Sequence, residues 1–297
     1  MPNLTNEEIS ELIQNGISAQ QANGYGKAQE CYRKVLLSVP DHFNANQLLG
    51  AVYIQIGDYP LALRYLNKAL SVQQTNPLVY HNHGLTLHAL GRFLEAVASF
   101  DKAIALQANF ADAYCNRGVA LQSLSRPTEA LTSYQQAFTL NPQHALAFFN
   151  CATLLQQFGK LQEALACYEQ VIAIDPNNVQ ALSNRGVILN DLGRYDAALI
   201  DFDRIIGSSP NYVPAYYNRG ITLQKLKLPQ QALESYEKAI ELNPEHAQAW
   251  TNRASTLKDL GRVEEAKLSL EKALTIMPDL KEARAQYHQL ISTPPSS

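Results

Sequence analysis

The sequence is poor in the features that most often announce chemistry. It has only four cysteines, Cys31, Cys115, Cys151 and Cys167, and no two of them form a C-x-x-C pair or fit a zinc-ligand spacing. These thiols read as reduced, small, buried hydrophobes, which points to the cytoplasm. Lys and Arg number 24 against 27 Asp and Glu, a formal net charge of −3. Without a surplus of clustered cations, general phosphate-driven binding to nucleic acid is not expected. No apolar run approaches the roughly 18–20 residues of a membrane span. The segment Met1–Glu11 is polar and acidic, unlike a secretory signal. The phosphate loop G-x-x-x-x-G-K-[ST], the dinucleotide fingerprint G-x-G-x-x-G, the nucleophile elbow G-x-S-x-G and the zinc motif H-E-x-x-H are all missing. His81, His83 and His88 crowd one stretch, but residues 81 and 88 sit two helical turns apart, about 10 Å, too far for one metal ion. No metal, cofactor or catalytic activity is expected.

What the sequence does contain is a repeat. Tyr-Cys-Asn-Arg-Gly at 114–118 returns as Leu-Ser-Asn-Arg-Gly at 182–186, Tyr-Tyr-Asn-Arg-Gly at 216–220 and Trp-Thr-Asn-Arg-Ala at 250–254. These phrases fit a 34-residue lattice with starts at 9, 43, 77, 111, 145, 179, 213 and 247, without insertion or deletion. On this lattice the special residues fall into columns. Eleven of the 14 glycines occupy two positions: the eighth (Gly16, Gly50, Gly84, Gly118, Gly186, Gly220) and the fifteenth (Gly57, Gly91, Gly159, Gly193, Gly261). Ala fills the twentieth position in every repeat, and an aromatic residue or Leu follows four residues later, from Tyr32 to Leu270. Pro closes most repeats: Pro40, Pro142, Pro176, Pro210, Pro244 and Pro278.

Each column has a physical cause. Small residues at the eighth and twentieth positions let two helices approach, and the large residue one turn on fills the space beside that contact. Gly at the fifteenth position suits the left-handed residue that ends a first helix. Pro at the thirty-second stops a second helix. Thr5, with Glu8 three residues on, reads as a capping box that opens the first helix. Apolar stripes run along both helices of each repeat. One hairpin cannot bury two such stripes, so neighbours must stack.

The spacing of aromatic, small residue, Ala, aromatic and Pro, fullest in Trp250, Ala254, Ala266, Ala273 and Pro278, resembles the tetratricopeptide repeat. The resemblance implies an all-α solenoid, a right-handed superhelix of about eight 34-residue helix-turn-helix repeats over 9–280. A polar capping helix over 281–292 follows, with a leader at 1–8 and a disordered tail at 293–297. It also implies a non-enzymatic scaffold that receives a protein or peptide in a groove lined by the first helices. Asn stands at the sixth position of six successive repeats: Asn82, Asn116, Asn150, Asn184, Asn218 and Asn252. This row is similar to the asparagine ladder in the repeat region of O-linked N-acetylglucosamine transferases and SPINDLY-type proteins, where it holds the backbone of an extended peptide. An amide supplies one donor group and one acceptor, matching a peptide unit without reading its side chain. The alternative is that these Asn residues cross-link adjacent helices.

By the same resemblance the groove also presents Gln122, Gln156, Asn190 and Gln224 at the twelfth position, and Phe149 and Tyr217 at the fifth. It would be amide-rich, nearly neutral and unsuited to a strongly acidic ligand. The Lys and Asn cluster of repeats that clamp a chaperone carboxylate is missing. Arg at the seventh position (Arg117, Arg185, Arg219, Arg253) is expected to pack between helices and reach a carboxylate such as Glu129 or Glu265, or else to form a basic stripe. Two rival readings follow: the recognition part of a glycosyltransferase system whose catalytic domain lies elsewhere, and a self-assembling scaffold. A monomer is expected, because the polar end helix disfavours stacking.

Overall fold

The structure is a computed structural model that describes residues 4–292, so the expected tail at 293–297 lies outside the described residues. Helices alternate between a first (A) and a second (B) member of each repeat. In order they are α1 (Asn6–Gln21), α2 (Tyr25–Ser38), α3 (Phe43–Gln55), α4 (Tyr59–Val72), α5 (Pro77–Ala89), α6 (Phe93–Leu106), α7 (Ala111–Ser123), α8 (Pro127–Leu140) and α9 (Ala145–Gln157). They continue as α10 (Leu161–Ile174), α11 (Val179–Asp191), α12 (Tyr195–Ser208), α13 (Val213–Lys225), α14 (Pro229–Leu242), α15 (Ala247–Asp259), α16 (Val263–Ile276) and α17 (Lys281–Ser292). This is an all-α solenoid of eight helix-turn-helix repeats and a final helix. Two compact units follow one another, one up to Leu154 and one from Leu155 onward. Within each, helices pack on their sequence neighbours, and A helices also touch the next A helix: α3 with α5 in the first unit, α13 with α15 in the second. Among the described residues no helix is long and apolar enough to cross a membrane.

The columns of the sequence become contacts. A Cβ on Gly118 would stand 2.5 Å from a ring carbon of Tyr134, and one on Gly220 equally close to Tyr236. The aromatic ring of the B helix therefore occupies the volume that a side chain on the A helix would need. Ala28, Ala62, Ala96, Ala130, Ala198, Ala232 and Ala266 are fully buried opposite. Every A helix ends in the same way. The fifteenth residue has positive φ, 70–78° at the five glycines, and the N–H of the sixteenth bonds the carbonyl of the eleventh, as Asp58 to Tyr53 (2.9 Å) and Arg92 to Leu87 (2.9 Å). This is a Schellman closure. Repeats without Gly in that slot still adopt it, with Asn23, Ser125 and Lys227 at φ 57–59°.

Helix starts are less uniform. The Thr5–Glu8 capping box forms, with Thr5 N donating to Glu8 Oε2 at 2.7 Å. At the residue preceding A helices the sequence uses an unexpected cap: the Nδ1 atoms of His42, His144 and His246 accept from Ala45, Ala147 and Ala249 N at 3.1, 3.2 and 3.3 Å. Asn76 and Asn178 do the same with their amide oxygens. At the C-terminal end α17 buries Ala283 and Leu290 with Tyr287 against the cluster of Leu270, Ala273 and Leu257. Its exposed residues are mostly charged or polar, with Ile291 apolar among them.

Candidate functional site

The six sixth-position asparagines are all half-buried. Three belong to the first unit (Asn82, Asn116, Asn150) and three to the second (Asn184, Asn218, Asn252). Four of them, Asn116, Asn150, Asn184 and Asn252, meet a residue of the preceding repeat. Asn116 Nδ2 of α7 is 2.9 Å from His81 Nε2 of α5, and Asn252 Nδ2 of α15 is 3.4 Å from the Tyr217 hydroxyl of α13. Asn150 faces Cys115, whose thiol burial pushes up to about 12. Asn184 Nδ2 donates to the Tyr168 hydroxyl at 3.0 Å. These four amides therefore tie neighbouring repeats together, and all six residues stay partly exposed.

The twelfth-position amides reveal a pairing that single-position reading misses. The hydroxyl of the buried B-helix tyrosine donates to the Gln carbonyl of its own repeat: Tyr32 to Gln20 (3.4 Å), Tyr134 to Gln122, Tyr168 to Gln156 (3.1 Å) and Tyr236 to Gln224 (2.5 Å). A hydroxyl buried with its ring needs an acceptor. The signal was present in the sequence. Gln stands at the twelfth position in the four repeats with Tyr at the twenty-fourth, and in none of the four with Phe or Leu there. The other end of the amide reaches the next A helix, as Gln224 Nε2 to Thr256 Oγ1 (2.7 Å) and Asn190 Nδ2 to Thr222 Oγ1 (2.8 Å). Burial in this pairing holds the Tyr32 phenol at about 12 and raises those of Tyr134 and Tyr236 as well.

Phe149 and Tyr217 are both half-buried on their A helices. Tyr217 packs with its ring 4.8 Å from that of His246 and 6.1 Å from that of Tyr236. Of the twelve residues expected to contact a peptide, Asn116, Asn190, Gln224 and Asn252 bond to a neighbouring A helix, whereas Gln122, Gln156 and Asn184 meet tyrosines of B helices.

The seventh-position arginines do pack between helices, but not toward Glu129 and Glu265, which pair instead with Arg126 and Arg262 at the helix starts. Arg117 joins Ser133 of its own B helix (2.8 Å) to Asp101 of the preceding B helix (2.6 Å). Arg219 joins Ser235 (2.7 Å) to Asp203 (2.6 Å), and Arg253 joins Ser269 (2.7 Å) to Glu237 (2.9 Å). His83 makes the same two contacts, with Ser99 (2.9 Å) and Asn67 (3.0 Å). Arg185 instead grips the buried Asp201 with two bonds of 2.5 and 2.8 Å. The acidic partner of Arg117, Arg219 and Arg253 lies in the repeat before, whereas that of Arg185 lies in its own.

Family models described as tetratricopeptide repeat match residues 13–77, 109–177, 149–213, 213–246 and 235–267, and one described as TPR repeat matches 84–125. The chain is a tetratricopeptide-repeat protein. A curated relative, the tetratricopeptide repeat-containing protein trd-1 of Caenorhabditis elegans, is 31% identical over 85 residues, or 29% of this TPR chain. The chain spans only 11% of that relative's length. Among solved structures, YrrB, a TPR protein with an unusual peptide-binding site, is 25% identical with a TM-score of 0.59, covering 65% of this chain and 99% of its own. Pseudomonas aeruginosa PilF is 21% identical with a TM-score of 0.63, over 71% of this chain and 96% of its own. The C-terminal part of a TPR repeat-containing protein from Cytophaga hutchinsonii is 16% identical with a TM-score of 0.68, over 80% and 97%. The last two bear on the TPR fold alone.

Proposed function

We propose that this TPR protein is a non-catalytic scaffold that holds an extended segment of another polypeptide against the A-helix face of its units. The observation that carries this reading is the row of half-buried amides, Asn82, Asn116 and Asn150 in one unit and Asn184, Asn218 and Asn252 in the other. A row of carboxamides at one spacing can pair with successive peptide units whatever their side chains. Charge supports the same reading. At the second, fifth, ninth, twelfth and thirteenth positions of all eight repeats the only charged residues are Asp112, Asp191, Lys225, Lys258 and Asp259. Such a surface selects by backbone hydrogen bonding and shape more than by net charge. Phe149 and Tyr217 would supply apolar contacts beside the row. YrrB, a TPR protein with an unusual peptide-binding site, supports a peptide as the kind of ligand.

The amides also bridge adjacent repeats, so the two roles must be separated by experiment. The test is affinity capture from lysate of the source cells, with wild type beside Asn116→Ala/Asn150→Ala/Asn218→Ala. Helicity and melting temperature are matched before comparison. The scaffold reading expects partners captured by wild type and lost from the variant. Equal capture by both would make the row structural and move binding elsewhere. The narrower glycosyltransferase-linked reading rests on the amide row alone. It requires that adding this chain change sugar transfer to a captured partner.

A further inference from the structure

The junction between the first two repeats breaks the pattern of all the others. From the third repeat onward, the A helix carries a large residue at the fourth position, an Arg-type clamp at the seventh, or both, and the pockets that remain beside Tyr216 with Arg219 and beside Trp250 with Arg253 hold only about 240 and 440 Å³. Examples are Tyr114 with Arg117, Tyr216 with Arg219 and Trp250 with Arg253. The second repeat has neither. Its fourth residue is Asn46, fully buried, with Nδ2 donating to the carbonyls of Pro40 and His42 at 3.0 Å. This copies the bond that Trp250 Nε1 makes to the Pro244 carbonyl (2.9 Å) without the bulk of the indole. Its seventh residue is Leu49, buried in the core.

The unfilled wedge is a pocket of about 750 Å³ between α2 and α4, in the size range of ligand sites. Its apolar wall is Leu36, Leu37 and Pro40, with Leu37 65% exposed. Its polar wall carries Arg33, Arg64 and Lys68, and no acidic residue lines it. Charge is reversed here as well as volume. Residue 33 occupies the slot that holds Asp101, Glu169, Asp203 and Glu237 in other repeats. With no clamp to meet, Arg33 turns its guanidinium to the Tyr53 hydroxyl and lies 5.9 Å from that ring, while Arg64 lies 5.8 Å from the Tyr65 ring. Neither guanidinium has a carboxylate partner among the described residues; Lys68 is held by Asp41 at 2.5 Å. The two tyrosine rings stack on each other at 5.5 Å and 5°, and Asn67 is tied to His83, so the walls are set before anything binds.

We infer that this pocket is a second binding site, taking an acidic segment of a partner protein that inserts one leucine- or phenylalanine-sized side chain. Two guanidiniums without carboxylates favour an anionic partner in a chain that is otherwise net negative. The apolar wall supplies the anchor. The site is built from α2, α3 and α4 and uses none of the amide row, so it stands or falls apart from the scaffold reading.

The test is fluorescence anisotropy with three labelled peptides: Glu/Asp-rich with a central Leu, the same with Lys for each acid, and the same with Ser for the Leu. Binding is expected for the first alone, weakening as salt rises. It should weaken about tenfold or more in Arg64→Glu and in Leu37→Asp. Both replaced side chains are free of structural hydrogen bonds, and circular dichroism checks that both variants fold. The Asn116→Ala/Asn150→Ala/Asn218→Ala variant should bind the first peptide as wild type does. Equal binding of the acidic and Lys peptides, or binding unchanged in both pocket variants, would overturn the assignment. So would sedimentation of wild type as a dimer that Leu37→Asp converts to monomer, because the occupant would then be a second copy.

Discussion

Buried tyrosines that need an acceptor decide what stands at the twelfth position of the A helix of the same repeat. Gln20, Gln122, Gln156 and Gln224 each take the hydroxyl of a tyrosine twelve residues on. Their amides therefore have a stability role that any binding role must share. Removing one partner strands the other, whereas removing both leaves an apolar contact. Tyr134→Phe and Gln122→Leu should each destabilise, and a double-mutant cycle in urea should give a coupling of about 1 kcal/mol. Additive effects would mean that the pair does not interact. The same residue-level logic explains the uneven legibility of the seventh column. Packing of Arg between helices follows from its long apolar stem, but its acidic partners Asp101, Asp203 and Glu237 come from the preceding repeat, and only the stacked geometry brings them there.

At the scale of the helix, the repeat was readable because its signals are steric and local. A small residue at the eighth position, Gly in six repeats and Ala in two, answers to the large side chain of the facing helix, and Pro marks where B helices stop. The A-helix terminus was readable where it carried Gly and not where it carried Asn23, Ser125 or Lys227, although all eight close with positive φ. The packed hairpin imposes that backbone on whatever residue occupies the slot. An L-residue with a Cβ carries a left-handed penalty of roughly 1–2 kcal/mol that Gly avoids. Lys227→Gly should therefore stabilise the protein by about 1 kcal/mol, part of the gain being offset by the greater freedom of Gly when unfolded. Chemical denaturation measures it; a loss of stability would mean that the Lys227 side chain makes a contact worth more than the strain. The His caps were missed because an imidazole acceptor is not among the usual capping groups.

For the molecule as a whole, neutral-pH stability depends on imidazoles kept uncharged. Burial lowers the proton affinity of His81, between Phe100 and Phe110, and of His83 in its clamp. The unfolded chain then binds protons that the folded chain refuses. Stability should be level above about pH 6.5 and decline as pH falls toward the lowered folded values, before most carboxylates titrate. Melting temperatures across that window should fall less in His81→Asn/His83→Asn than in wild type. An equal fall in both would place the acid sensitivity elsewhere.

On the proposed function, another polypeptide lies on the A-helix face. Half-buried Val119 and Val187, at the ninth position of their repeats, border the amide row, whereas Ile200 and Leu268 are 67% and 61% exposed on B helices. The most direct measurement places a photo-crosslinking side chain singly at each of these four positions and irradiates the protein with a captured partner. Adducts at Val119 or Val187, and not at Ile200 or Leu268, are the result expected. Adducts confined to Ile200 and Leu268 would contradict it and put the partner on the B helices.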